Sequence, residues 1–264
     1  VWLVESAHSQ LYLAGTVHIL RDSDYPLPAA FRIAYSESGR LAFEVDIAQT
    51  QSAAFQQQMM QAIALPEGTS LEQILTPATL RKLQAYLDDN GLKLDQFRGL
   101  KPAMIATTLT LIELRKLGVS STGVDAYFFQ KAQEDGKQLL ALESVEQQLS
   151  FLSRMGQGLE DMMILQTLKD IETLESEFGD MLTSWREGNL QRLEEFFIAP
   201  MKEDFEPVYQ ELLVTRNQNW LPQLKAFLDT PDTEMVLVGS AHLAGEDGLL
   251  NLLEQSGYRI SQLD

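Results

Sequence analysis

The sequence predicts an α/β fold in which both chain ends build a central mixed sheet around a large helical insertion. Three observations carry it. β-rich apolar runs cluster near both termini, helical periodicity fills most of the span from about 50 to 230, and one strand-like run near 137–144 interrupts that span. With 264 residues, 45% of them apolar, the chain can bury a sizeable core as one domain, 1–264. A sheet domain with a separate helical domain, divided near 50 and 230, is the alternative.

Residues 1–20 read as a hairpin: VWLVES and QLYLAGTVH flank the polar Ala7-His8-Ser9, which makes His8 an exposed turn residue. LAFEVDI, Leu41–Ile47, alternates at period two and reads as a strand with Glu44 and Asp46 on one face. Thr76–Gly91 has a cap-like Thr76, Pro77 at the first helical position and a closing Gly91. Lys101–Gly118 and Gly123–Gly136 are further helices, and KQLLALES, Lys137–Ser144, is a short strand. From 145 to 228 the pattern is again helical, with breaks expected at Gly156–Gly158, Gly188-Asn189, Pro200 and Pro207. EMVLVGSAHL, GEDGLLNLLEQSG and YRISQLD close the chain as strand, helix and strand.

Composition narrows the function. A net charge of −18 argues against a nucleic-acid partner, because neutralising phosphates needs clustered Lys and Arg. No apolar run is long enough to span a membrane. With no cysteine, disulfides, thiolate metal sites and cysteine nucleophiles are excluded. The Leu-, Met- and Phe-rich helical region suits either a buried core or a homo-oligomer contact.

YLAGTVHIL and VLVGSAHLAG share one plan, an apolar strand followed by Gly-x-x-His, and together hold two of the three histidines. A lone histidine beside an apolar strand is usually a satisfied structural residue. The same context twice points to function, since each imidazole emerges where a strand gives way to a loop, and ligands bind at strand ends of α/β sheets. Gly15 and Gly239 would let a backbone or ligand approach closely. Glu44 in FEVD and Glu143 in LLALES occupy similar strand-end positions, where solvated acids are also common. His18, His242, Glu44 and Glu143 together would offer N and O ligands suited to Mn, Co, Fe or Zn. Arg216 in VTRNQNWLPQL reads either as a surface cation or as a clamp for an oxyanion or carboxylate. No nucleophile elbow, Walker loop or dinucleotide fingerprint is present.

LYLAGTVHIL, FEVD, GVDAYFFQKAQEDGKQLLALESVEQQLSFL, RNQNWLPQL and VLVGSAHLAGEDGLLNLLEQSGYRI resemble, in this order, blocks of the TraB/Tiki (GumN-like) family in its bacterial branch. The resemblance spans nearly the whole chain. It implies a fold akin to the erythromycin-esterase and ChaN-like superfamily. It also implies a divalent-metal-dependent peptidase, as proposed for animal Tiki members acting on the amino terminus of Wnt proteins. Mn or Co stands foremost, with Zn or Fe admissible. The motif histidines fall on His18 and His242, the acidic position on Glu44, the LE glutamate on Glu143, the RN arginine on Arg216 and the glycines on Gly15 and Gly239. The expected ligands are His18, His242 and Glu44; Glu143, as general base or further ligand, and Arg216 are the expected catalytic residues. The implied partner is a peptide or protein substrate, and the implied location periplasmic or secreted after removal of a signal segment, with the cytoplasm as the alternative.

Overall fold

The computed structural model describes residues 1–119 and 122–263; Asp264, the end of the last predicted strand, lies outside them. The described residues fall into two compact units. One comprises Val1–Gln51, Val119–Gln148 and Asp180–Asp264, and the other Ser52–Gly118 and Leu149–Gly179.

The first unit holds a six-stranded mixed sheet. Its strands are β1 (Trp2–Glu5), β2 (Gln10–Thr16), β3 (Arg40–Val45), β4 (Gln138–Glu143), β5 (Glu234–Gly239) and β6 (Arg259–Gln262), in the order β4-β3-β5-β2-β1-β6. β1 and β2 form the predicted antiparallel hairpin, with His8 exposed at its turn. β6 pairs antiparallel with β1, so the chain ends meet, and Leu263 N–H donates to the Val1 carbonyl at 2.9 Å. β4, β3, β5 and β2 run parallel to one another. Their C-terminal ends therefore share one edge of the sheet.

Parallel strands covered on both faces read as continuous apolar runs. This corrects the period-two reading of LAFEVDI: Leu41 through Val45 are all buried, including Glu44 at 9% exposure. Asp46 leaves the strand altogether. It caps the short helix Ile47–Thr50, accepting the N–H groups of Ala48 and Gln49 at 2.9 and 3.2 Å, so it does not share a face with Glu44.

One face of the sheet is aliphatic: Leu11, Leu13, Val236 and Val238 pack with Trp220, Leu224 and Leu228 of the helix Thr215–Leu228 and with Leu249 and Leu253 of Leu249–Gln255. An aromatic group comprises Phe31, Phe43, Phe128, Phe129 and Trp185, whose rings meet pairwise at 5.7–6.2 Å. Pro200 does not break the chain. The helix continues through Ala199–Asp204 after a π-turn at Glu194–Ile198, a wider turn in which each N–H reaches one residue further back.

The second unit is helical, built around Leu71, Leu83, Leu87, Ile105, Leu109 and Ile164. The helix Pro77–Asp89 starts as predicted, with Pro77 at its first position and the Thr76 hydroxyl accepting the Thr79 N–H. It ends before Gly91, which takes φ +69°, a value few other residues adopt at low cost. Among the described residues no helix is long and apolar enough to cross a membrane.

Candidate functional site

Four polar side chains project from the C-terminal edge of the four parallel strands, one from each. His18 follows β2, Glu44 and Glu143 close β3 and β4, and His242 lies in the 3-10 turn Ser240–His242 after β5. Residues far apart in sequence thus become neighbours through strand pairing alone. The two Gly-x-x-His motifs are adjacent: Gly15 stands opposite Val238, Thr16 opposite Gly239, and the Ser240 hydroxyl donates to the Thr16 carbonyl at 2.7 Å. Gly15 suits this approach: a Cβ there would stand 3.0 Å from the tip of Leu243 and 3.3 Å from the Ser240 Cα, tight contacts that would press the neighbours back.

Each imidazole is fixed through Nδ1. His18 Nδ1 meets Asp125 Oδ2 at 2.8 Å, and Thr16 donates its hydroxyl to Asp125 Oδ1 at 3.0 Å. His242 Nδ1 meets Asn217 Oδ1 at 2.7 Å, and the Asn217 amide donates to the carbonyls of His242 and Asp247 at 3.1 and 2.8 Å. An amide or carboxylate oxygen only accepts, so both Nδ1 atoms carry the proton and both Nε2 atoms are left toward the site. The environments differ sharply. The His18 side chain is 64% exposed, and Asp125 raises its pKa to about 9. His242 is buried, which lowers its pKa to about 3 and keeps it neutral.

Glu44 lies between them. Burial opposes its ionisation, but His242, Arg216, His18 and the Gly239 N–H together hold its pKa at about 2. Its Oε1 accepts the Gly239 N–H at 2.7 Å and stands 3.9 Å from His242 Nε2. Gly239 marks the point of convergence. A Cβ built on it would lie 3.4 Å from Glu44 Oε1, 3.6 Å from His18 Nε2 and 3.7 Å from the His242 ring.

Arg216, from the helix Thr215–Leu228, is enclosed, with its side chain 11% exposed. Its Nε and Nη2 donate to Glu143 at 3.0 and 2.8 Å, Nη2 also to Glu44 Oε2 at 2.5 Å, and Nη1 to His242 Nε2 at 3.0 Å. Trp220, one turn on, lies under both: its ring is 4.6 Å from the Arg216 guanidinium carbon and 4.5 Å from the His242 ring.

All five polar residues singled out in the sequence thus lie in one cluster, together with Gly15 and Gly239. Three contributors were missed. Asn217 and Trp220 are adjacent to and one turn beyond Arg216, and helical spacing alone sets Trp220 on the same face. Asp125 carried only the ordinary signal of an acid in a first helical turn, since its link to His18 is long-range.

The fit to a divalent ion follows from the donors. Two imidazoles, each with its Nδ1–H held by a side-chain oxygen, and one ionised carboxylate are the groups that borderline divalent ions take, His18 giving up the Nε2 proton that Asp125 favours. Among the described residues no three His, Asp or Glu side chains are drawn in closely enough to hold an ion as they stand. The donor types fit; a closing of the side chains is required.

The sequence profile of the TraB/PrgY/gumN family matches residues 1–262. The chain belongs to this family. Among TraB/PrgY/gumN relatives, it is 25% identical to uncharacterized protein YbaP of Escherichia coli over 254 residues, covering 92% of this chain and 87% of YbaP. It is 23% identical over 303 residues to metalloprotease TIKI2 of Danio rerio and 25% identical over 316 residues to that of Xenopus tropicalis. Those matches cover 94% and 98% of this chain, which spans only 57% and 59% of the TIKI2 lengths. No solved structure matches the chain.

Proposed function

We propose that the protein is a divalent-metal-dependent hydrolase of peptide bonds, with His18, His242 and Glu44 as ligands. One observation carries the reading: His18 Nε2, Glu44 Oε1 and the Cδ2 edge of the His242 ring all lie within 3.7 Å of one point at Gly239, with His242 Nε2 3.9 Å from Glu44 Oε1. Membership of a family with proteins named metalloprotease supports it. Mn or Co is the foremost ion, with Zn or Fe admissible. When bound, such an ion polarises a scissile carbonyl and makes a nucleophile of water at neutral pH. Asp125 and Asn217 hold the two imidazoles through Nδ1, and the Gly239 N–H aims Glu44 Oε1. Both Glu143 oxygens accept from Arg216, which supports an orienting carboxylate over the general base or further ligand expected from sequence. The substrate is a peptide or protein. Kinship with the erythromycin-esterase and ChaN-like superfamily belongs to the same proposal.

Calorimetric titration with Mn²⁺ tests the ligand set. His18→Ala and His242→Ala should each lose metal, because two imidazoles and a carboxylate form a three-ligand site that one imidazole cannot replace. His8→Ala, altered at the hairpin turn, should bind as the native chain does. Loss of metal in His8→Ala with retention in either motif variant would overturn the assignment.

A second reading rests on a different observation. His18 is exposed and paired with Asp125, a dyad that transfers protons without a metal. It predicts hydrolysis that survives chelation, whereas the metal reading predicts cleavage of a peptide library that stops with chelator and returns with Mn²⁺ or Co²⁺.

A further inference from the structure

A guanidinium has five N–H bonds to give, and Arg216 has an acceptor for each. Nε and one Nη2 hydrogen go to Glu143, the second Nη2 hydrogen to Glu44, and the two Nη1 hydrogens to His242 Nε2 and, at 3.4 Å, to the Leu212 carbonyl. Leu212 lies in a π-turn, Gln210–Val214, one residue before the helix that carries Arg216. Every donor is committed to the protein itself. A clamp on a substrate carboxylate or a developing oxyanion, the role expected from sequence, therefore needs one of these bonds to be released first.

One of the five acceptors, His242 Nε2, is also a donor atom of the metal site proposed above, and the inference rests on that reading; on Glu44 Arg216 holds Oε2 and leaves Oε1 to the Gly239 N–H. A nitrogen lone pair serves one partner at a time. His242 Nε2 therefore bonds either the guanidinium or an ion. We propose that Arg216 competes with a divalent cation for His242 Nε2, and that it yields this nitrogen while keeping its two bonds to Glu143. The geometry divides the guanidinium accordingly. The edge formed by Nε and one Nη2 hydrogen grips Glu143 in the two-point manner typical of arginine and carboxylate, while the remaining hydrogens reach the metal donors singly. Glu143 is the anchor from which the side chain withdraws, with its side chain only 6% exposed. Arg216 is thus a positioning residue that sets how tightly the site takes an ion.

Titration with Mn²⁺ of the chelator-treated full chain, as native protein, Arg216→Met and Arg216→Lys, separates competition from simple charge repulsion. Both variants should bind Mn²⁺ more tightly by about tenfold or more, the scale on which groups around a ligand alter metal affinity. Arg216→Lys decides, because lysine keeps the positive charge but has no planar fork to hold Glu143, Glu44 and His242 together. If Arg216→Lys binds as weakly as the native chain while Arg216→Met binds tightly, the effect is charge alone and the proposal fails. A measurement on the native protein removes dependence on how well the variants fold. Nitrogen-resolved NMR of the Arg216 guanidinium should show the Nη1 signal shift on adding Zn²⁺ while the Nε–H signal stays protected. An unchanged Nη1 signal at saturating Zn²⁺ would overturn the competition and leave the metal site standing. No binding of Mn²⁺ or Zn²⁺ by any of the three proteins would remove the metal reading, and the competition with it.

Discussion

At Gly239 the backbone is extended, φ −51° and ψ 137°, a conformation open to any L residue. An added methyl meets Glu44, His18 and His242 at 3.4–3.7 Å, ordinary contact distances. Gly239→Ala should therefore fold with a nearly unchanged melting midpoint, yet fill the point where the donors converge. We expect Mn²⁺ affinity to fall about 10- to 100-fold, as for other changes around a metal ligand; affinity equal to the native chain's would show that the donors do not meet there. The His18–Asp125 pair gives a pH signature in chelator-treated protein. Asp125 raises the His18 pKa from 6.5 to about 9, so the folded state favours the charged ring. The pair's contribution to stability is then complete below pH 6.5 and is lost as pH rises through about 9. An NMR titration should place His18 near 9 in the native chain and closer to 6.5 in Asp125→Asn. At this scale the residue types were legible in sequence, but their partners were not. Glu44 looked like one of two acids on a strand face until Asp46 proved to be a helix cap.

The helix Val124–Glu134 shows how one element places a side chain. Its N-terminus rests on the backbone after β2, with the Val124 N–H donating to the Val17 carbonyl at 3.0 Å. A Cβ on Gly123 would fall 2.1 Å from the His18 carbonyl carbon and 2.4 Å from the Val17 oxygen. These are main-chain atoms with little room to give. Gly123→Ala should push the helix start outward and draw Asp125 away from His18. We expect a loss of about 1–3 kcal/mol, the usual cost of forcing extra volume into a packed site, measured by urea unfolding, with the His18 pKa falling in parallel. A stable variant with an unshifted His18 would show that this contact does not position the ring. Glycine at the start of a helix was visible in the sequence as punctuation. Its closeness to the His18 backbone was not, since that contact spans more than a hundred residues.

The sheet unit and the helical unit each have their own core. All three tryptophans, Trp2, Trp185 and Trp220, belong to the sheet unit. Tryptophan fluorescence thus reports on that unit alone, while far-UV circular dichroism reports on both. Leu83 and Leu237 are fully buried, one in each unit. Either Leu→Ala change should cost about 2–5 kcal/mol. Leu83→Ala should lower the dichroism midpoint more than the fluorescence midpoint, and Leu237→Ala should lower the fluorescence midpoint strongly. Coincident shifts of both signals in both variants would mean that the units unfold as one.

Apolar runs, glycine and proline punctuation and the doubled Gly-x-x-His pattern sufficed to place the strands, the main helices and the two imidazoles at strand ends, because local propensity and periodicity act over a few residues. Which strands lie side by side was decided only by tertiary structure. The order β4-β3-β5-β2 brings Glu143, Glu44, His242 and His18 to one edge, and a helix from elsewhere in the chain supplies Arg216 and Asn217. Strand pairing and burial depend on surfaces meeting across long loops. They also set the charge states: His18 and His242 share a motif, but the charge of Asp125 keeps one imidazole protonated while burial keeps the other neutral.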